Sequence, residues 1–273
     1  MTTILGIDAA WTPGQPSGVA LVVGDADTWR CLAVAPSYAS FLALAEGKPV
    51  DWTTSTKGTP PDPSALLQAA AVLAGCTVDV VAVDMPVSTV PITKRRVADD
   101  AVSREFGGRW CSAHSPSVVR PGQLGAALST AFSRLGYPVA TAEMVSGTQP
   151  CLVEVYPHPA LLALLNRPRR VPYKVSKAGK YWPDQTVAER IALLLAEFQH
   201  IERALAGVLG PIEVPLPHGT SISQLARLKR YEDALDALVC CWVGMLYATG
   251  MAVPLGDSTG AVWCPRASLL TRH

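Results

Sequence analysis

Carboxylate side chains stand at the ends of apolar segments or inside them, where burying a charge is costly. Asp8 closes the first apolar segment of the chain, and Asp84 closes a valine-rich segment. Glu154 interrupts a third apolar segment, at residues 152–156. A late apolar segment carries three more acids at offsets of three and four residues, which place them on one side of a helix. These acids are Glu232, Asp233 and Asp236.

Acids gathered in one place need a compensating positive charge. Two carboxylates about 4 Å apart repel each other by about 4 kcal/mol at an effective dielectric constant of about 20. A ligand set made of oxygen atoms alone favours magnesium or manganese. The sequence therefore predicts a Mg²⁺ or Mn²⁺ cofactor, although each acid taken alone could instead cap a turn or the start of a helix.

The elements that position these acids follow from hydrophobic periodicity and turn residues. Predicted strands cover residues 4–10, 17–23, 29–35, 78–84 and 152–156, with a short extended segment at 262–263. Predicted helices cover residues 63–74, 94–106, 121–136, 159–166, 184–209 and 231–249. Short turns between the first three strands predict an antiparallel meander, and the later helical crossovers predict parallel strands.

This order of elements predicts an α/β protein with a mixed five-stranded sheet and helices on both faces. We expect a single domain over residues 1–273, because α/β folds of about 250 residues often share one core. Period-two alternation puts Asp8 and Asp84 at the carboxyl ends of their strands. The helix at 231–249 is expected to pack against the sheet near Asp8.

The overall composition excludes some classes of protein. Lys and Arg together number 23 against 22 Asp and Glu, so no global charge draws the chain to nucleic acid or to a membrane surface. Seven scattered cysteines without a CxxC pair predict free thiols in a reducing cytoplasm. Residues 237–255 are almost wholly apolar, but the acids before them and the glycines within them favour a buried helix over a membrane span.

Four short motifs carry a resemblance to a known family. They are Gly6-Ile7-Asp8-Ala9, Val83-Asp84-Met85-Pro86, Glu154-Val155-Tyr156-Pro157 and Gly260-Ala261-Val262-Trp263. Together they resemble the uncharacterised family called domain of unknown function 429, over almost the whole chain. The order of elements resembles the ribonuclease H-like superfamily, and the late helix resembles that of RuvC-type Holliday-junction resolvases through the segment Asp233-Ala234-Leu235-Asp236-Ala237-Leu238. The resemblance implies a ribonuclease H-like domain with helical insertions that acts as a nuclease.

The same resemblance implies roles for the acids. The metal-binding positions of the superfamily fall on Asp8, Asp84 and Asp236, with Asp233 and Glu154 as further catalytic residues. Asp8 would bridge two ions that Asp84 and Asp236 flank, and Glu154 or Asp233 would complete the coordination or orient a water molecule. Two ions about 3.5–4 Å apart are a known arrangement for phosphodiester hydrolysis.

A basic segment without acids, residues 167–180, could hold the phosphates of a nucleic-acid substrate. Tyr173, Tyr181 and Trp182 lie close enough in sequence to stack on bases. The segment could equally be a solvated loop. The predicted substrate-binding residues are Arg169, Arg170, Lys174, Lys177 and Lys180.

Two other classes of function stay open from the sequence. The first strand and turn also resemble the phosphate-binding hairpin of actin-like and sugar kinases, but Met85-Pro86-Val87 follows Asp84 where those phosphotransferases need a second glycine-rich hairpin. A non-catalytic module of the same fold that binds nucleic acid or another ligand is the second alternative. Direct titration with metal would separate this module from an enzyme.

Overall fold

A mixed sheet of seven strands runs through the centre of the computed structural model, which describes residues 1–12, 14–25, 28–54, 56–218 and 222–266. In chain order the strands are β1 (Thr2–Asp8), β2 (Gly18–Gly24), β3 (Trp29–Ala35), β4 (Val80–Val83), β5 (Cys151–Val155), β6 (Ala252–Asp257) and β7 (Gly260–Pro265). Their order across the sheet is β3-β2-β1-β4-β5-β7-β6. Strands β1, β2 and β3 form the predicted antiparallel meander, whereas β1, β4, β5 and β7 are parallel neighbours.

The α/β class and the mixed sheet are confirmed, but the predicted number of five strands is wrong. Strands β6 and β7 form an antiparallel hairpin, and the predicted extended segment 262–263 lies within β7. The sequence of β6 contains Pro254 and Gly256, which normally argue against a strand. Proline is tolerated here because β6 lies at the edge of the sheet. Residues 13, 26 and 27 of the predicted turns lie outside the described residues.

Helices cover both faces of the sheet. In chain order the described α helices are α1 (Tyr38–Ala45), α2 (Pro63–Ala74), α3 (Val97–Phe106), α4 (Leu124–Arg134), α5 (Pro157–Leu164), α6 (Ala178–Tyr181), α7 (Val187–Leu209) and α8 (Lys229–Ala248). Helices α5, α7 and α8 pack on one face, and α1, α2 and α4 pack on the other. The sequence predicts six of the eight described helices and misses α1 and the short α6.

Helix boundaries follow local capping chemistry more closely than hydrophobic periodicity. Helix α2 begins after Asp62, whose side chain accepts from the N–H of Ala65, as the Asp-Pro pair predicts. Helix α7 begins at Val187 and not at 184, because Thr186 and Glu189 form a reciprocal capping box. Helices α3 and α4 also begin three residues later than predicted.

Helix α8 lies directly against β1 and β2, because glycine stands where the backbones meet. A β-carbon on Gly6 would lie 2.2 Å from the carbonyl oxygen of Ala237, and one on Gly18 would lie 2.0 Å from that of Asp233. The predicted packing of this helix near Asp8 is therefore confirmed. Among the described residues, no helix is both long and apolar enough to cross a membrane.

We predict that Gly18→Ala destabilises the protein by about 1–3 kcal/mol, the usual cost of forcing extra atoms into a packed core. The new methyl group would collide with backbone, which cannot swing aside as a side chain can. Gly14→Ala is the matched control, since no atom lies within 4 Å of its β-carbon position. Urea denaturation measures both variants. Equal midpoints for Gly18→Ala and the parent would contradict the close packing.

Candidate functional site

Asp8 and Asp84 lie side by side at the carboxyl ends of two adjacent parallel strands. Ile7 of β1 pairs with Val83 of β4, and the backbone N–H of Asp84 donates to the carbonyl of Ile7 at 2.9 Å. The sheet grows in opposite directions from these two strands, which makes this point a topological switch. Open α/β sheets commonly bind ligands at such a point. The structure thus brings together the first two acids that the sequence predicts.

The carboxylates of Asp8 and Asp84 have no hydrogen-bond donor or ion-pair partner in the part of the chain that the structure describes. Burial and the negative charge of Asp8 raise the pKa of Asp84 well above its ordinary value, and the charge of Lys174 offsets part of that rise. Two adjacent carboxylates without a partner favour the binding of a cation, because a cation relieves their repulsion.

Asp236 is fully buried and is held by two neighbours from the basic segment. The hydroxyl of Tyr173 donates to Oδ1 at 2.6 Å, and Nζ of Lys174 forms an ion pair with Oδ2. Burial raises the pKa of Asp236 to about 6, although Lys174 opposes this rise. Burial alone would lower the pKa of Lys174, but the charges of Asp236 and Glu232 raise it well above its ordinary value.

Lys229 plays the corresponding part for the acids at the start of α8. Its Nζ donates to Oε1 of Glu232 at 2.9 Å and also to Asp233. Glu232 further accepts from the N–H of Val175 at 2.6 Å and lies 3.4 Å from Nζ of Lys174. Burial raises the pKa of Asp233 well above its ordinary value, and Lys229 offsets part of this rise.

The cluster as a whole contains more acidic than basic side chains. Five carboxylates from β1, α8 and the end of β4 meet two ammonium groups among the described residues. In the same residues, no three His, Cys, Asp or Glu side chains form a group arranged to hold a metal ion. Lys174 and Lys229 form ion pairs with Glu232, Asp233 and Asp236, so these three acids are not open to a metal ion. Only Asp8 and Asp84 have no such partner among the described residues.

Glu154 belongs to a different cluster. It pairs with Val83 across the sheet, so its side chain lies on the opposite face from Asp8 and Asp84. Arg96 binds both of its carboxylate oxygens at 2.6 Å, and the N–H of Val87 donates to Oε2 at 2.9 Å. Glu154 still lies near Asp84, since both line a small cavity and the charge of Glu154 contributes to the raised pKa of Asp84. Its two oxygens already accept hydrogen bonds from Arg96 and Val87, so they are not open to a metal ion as those of Asp8 and Asp84 are.

A cavity of about 550 Å³ opens above the acids. Asp8, Asp84 and Asp233 line it, as do Lys174 and Lys229, whereas Asp236 lies beneath and does not reach it. A cavity of this size is typical of sites for small ligands. A larger depression of about 750 Å³ lies alongside β3. Its lining is largely apolar, and none of the predicted site residues contributes to it.

The five predicted substrate-binding cations do not act as one surface. Lys174 and Lys177 line the cavity, but Lys174 already forms an ion pair with Asp236. Arg169 lies over the exposed ring of Trp110, 4.7 Å from its centroid. Arg170 is half-buried, with an Nε that finds no acceptor among the described residues. Lys180 is exposed and is not part of the cavity lining.

Sequence reasoning missed the other side of the cavity. Trp11, His114 and Arg120 line it, and they come from two loops without a recognisable motif. Partial burial and the nearby charges of Arg170, Lys177 and Arg120 lower the pKa of His114. The one available signal was the position of Trp11 just after the β1 strand that ends at Asp8.

The fold and the site together define an α/β protein with a cavity at the topological switch point of its sheet. Acids line one part of this cavity, and the cations Arg120 and Lys177 line another part, its basic wall. The chain belongs to the family described as Protein of unknown function (DUF429), whose model matches residues 6–259. The matched range contains the first three of the four sequence motifs and confirms the resemblance at the level of the family. No curated protein and no solved structure matches the chain.

We predict that Arg96→Gln lowers the free energy of unfolding by about 3–5 kcal/mol, the usual cost of breaking a buried ion pair on one side. The side chains of Arg96, Asp99 and Glu154 are all at least nine-tenths buried. The substitution therefore leaves two buried carboxylates without their positively charged partner. Lys48→Gln is the control, because its pair with Glu46 is exposed and should contribute little. Thermal and urea unfolding check the ranking, which equal losses in the two variants would contradict.

We predict that Asp84→Asn is at least as stable as the parent at neutral pH in chelator. The raised pKa means that the folded parent loses stability as pH rises from the ordinary aspartate value of 3.8 through the folded-state pKa, and asparagine removes this loss. The advantage of the variant should therefore shrink as pH falls toward 3.8. Melting curves in a pH series measure it. A variant that melts well below the parent throughout would show that Asp84 is a structural hydrogen-bonding residue.

Proposed function

We propose that this protein hydrolyses phosphodiester bonds as a nuclease that depends on bound Mg²⁺ or Mn²⁺. The observation that carries the proposal is the pair Asp8 and Asp84, two carboxylates without partners among the described residues, at the switch point of the sheet. The antiparallel meander followed by parallel strands, with an acid-bearing helix against β1, supports a ribonuclease H-like assignment.

The donor set fits a hard divalent cation. Magnesium is commonly held by one or two carboxylates and completes its coordination with water and substrate phosphates. Asp8 and Asp84 are therefore sufficient protein ligands for one ion, and Asp233 is a further acid in the lining of the same cavity. A second ion would compete with the lysines that pair with Asp233 and Asp236. The two-ion mechanism stays a prediction from the resemblance.

Different side chains of the cavity have different roles in the proposed reaction. A bound ion would polarise the phosphate and lower the pKa of a water molecule. Asp8 and Asp84 would hold that ion at the carboxyl end of the sheet. Lys177 and Arg120 face the substrate side and can neutralise phosphate oxygens. Asp236 acts at a distance, because it holds Lys174 at the edge of the acid pair.

A second candidate is a binding module that holds an anionic ligand without cleaving it. Its support is the internal neutralisation of Glu232, Asp233 and Asp236 by Lys174 and Lys229, which reduces the need for a metal. Under this alternative, the ligand would contact the basic wall of the cavity alone. Metal binding at Asp8 and Asp84 distinguishes the two candidates.

We place the protein in the cytoplasm as part of the same proposal. Its support is the set of seven cysteines, which are all free. Thiols of this kind persist in reducing compartments. Nucleic acid is the proposed partner, and a membrane partner is not part of the proposal.

We predict that Mg²⁺ or Mn²⁺ stabilises the parent and that Asp8→Asn abolishes most of this effect. A ligand that binds the folded state alone stabilises it by about 2.7 kcal/mol at a concentration one hundred times its Kd. Asparagine keeps nearly the same volume, so packing should be unchanged while one charged ligand is lost. Melting series with chelator and with each metal measure the shift. Cleavage of single-stranded nucleic acid should fall in parallel.

Asp184→Asn is the matched control, since Asp184 is exposed and lies outside the cavity. It should keep the metal shift and any cleavage of the parent. Asp236→Asn should melt below the parent even in chelator, because it breaks a buried ion pair. If metal shifts the parent, Asp8→Asn and Asp84→Asn equally, the acid pair does not bind the ion and the binding module is the better reading.

A further inference from the structure

The basic wall of the cavity carries cations that no carboxylate of the described residues neutralises. Arg120 and Lys177 line the cavity, and Arg170 lies close enough to lower the pKa of His114 together with them. In the described part of the chain, none of these three cations forms an ion pair with a carboxylate. Cations without acidic partners beside a cavity are suited to bind phosphate groups.

The dimensions and charge of the molecule favour a short ligand over a duplex. A cavity of about 550 Å³ falls in the range of sites for small molecules, which is about 300–1,000 Å³. Proteins that bind along a duplex instead commonly contact several phosphates in a row, about 6–10 in typical cases. The other basic side chains near the site do not form such a row, since Arg167 lies 3.8 Å from Glu197 and Arg169 is not part of the cavity lining.

An aromatic ring stands on the same wall as the cations. Trp11 is partly buried and lines the cavity beside Asp8, and the guanidinium of Arg120 lies over its ring at 5.8 Å from the centroid. Planar bases stack on such rings with little preference for sequence. The wall therefore places an aromatic ring and phosphate-binding groups side by side.

We propose that the cavity binds a segment of one or two unpaired nucleotides, with a base against Trp11 and phosphate oxygens against Arg120 and Lys177. The segment is either a free dinucleotide or the single-stranded end of a longer chain, since both present the same chemistry. This inference rests on the proposed function, because it names the substrate class of the same site. It makes the site one for ends or fragments and not for the interior of a duplex.

The test measures binding by calorimetry, with and without Mn²⁺. The probes are a terminally phosphorylated thymidine dinucleotide with a phosphorothioate linkage that resists hydrolysis, inorganic phosphate, a single strand and a blunt duplex. Trp11→Leu and Arg120→Gln should each weaken dinucleotide binding by about tenfold or more, a factor that corresponds to about 1.4 kcal/mol. Trp11→Phe should retain most of the affinity because the aromatic face is kept.

Arg169→Gln and Trp110→Leu form the matched control, a second pair of cation and tryptophan outside the cavity. Both should bind the dinucleotide like the parent, and a single strand should compete better than the blunt duplex. The proposal is overturned if the duplex competes best, if the control pair weakens binding as much as the cavity pair, or if inorganic phosphate binds as tightly as the dinucleotide. Circular dichroism checks that each variant is folded.

The two proposals can fail separately. If Trp11 and Arg120 determine dinucleotide binding but metal produces no stabilisation at Asp8, the nuclease proposal fails and the assignment of the ligand stands. If metal binds at Asp8 while the dinucleotide binds without regard to Trp11, the assignment of the ligand fails and the nuclease proposal stands.

Discussion

Helix α8 can approach β1 and β2 closely only because the strands have glycine, Gly6 in β1 and Gly18 in β2, where the helix backbone meets them. With any larger residue there, a β-carbon would occupy the space of the helix backbone at Ala237 and Asp233. The first turns of α8 therefore lie beside the carboxyl end of β1, where Asp8 ends the strand. The assembly of acids follows from this contact between two backbones, and the acids of β1 and α8 are positioned by a strand and a helix.

The gathering of buried acids creates an electrostatic problem that the protein solves in part. Carboxylates taken out of water remain charged only when a partner compensates them. Lys174 and Lys229 supply that compensation to the acids of α8, at contacts that include 2.9 Å to Glu232. No equivalent partner reaches Asp8 or Asp84 from the described residues. The absence of a direct partner is thus a local feature of the strand ends, where Lys174 acts on Asp84 only through its charge.

The sequence predicted the acids that depend on local pattern and missed the contacts that depend on register and long-range pairing. Alternation put Asp8 and Asp84 at the carboxyl ends of their strands, and the family resemblance implied that the two acids share a site. Glu154 has the same local pattern, but its pairing with Val83 turns it to the other face, where Arg96 binds it. Lys174 was predicted to bind substrate, and its partner Asp236 lies 62 residues away in the chain. Periodicity carries no information about such pairs.

The cavity has an acidic floor, formed by Asp8 and Asp84, and a basic wall, formed by Arg120 and Lys177. This division constrains which ligands can bind there. Phosphate near the wall is attracted by Arg120 and Lys177 but is repelled by Asp8 and Asp84, and repulsion between unit charges about 4 Å apart is about 4 kcal/mol at an effective dielectric constant of about 20. A divalent cation at the floor would convert this repulsion into attraction. Binding of cation and phosphate should therefore be mutually favourable, and such coupling is reciprocal. A cavity with either half alone would hold only one of the two.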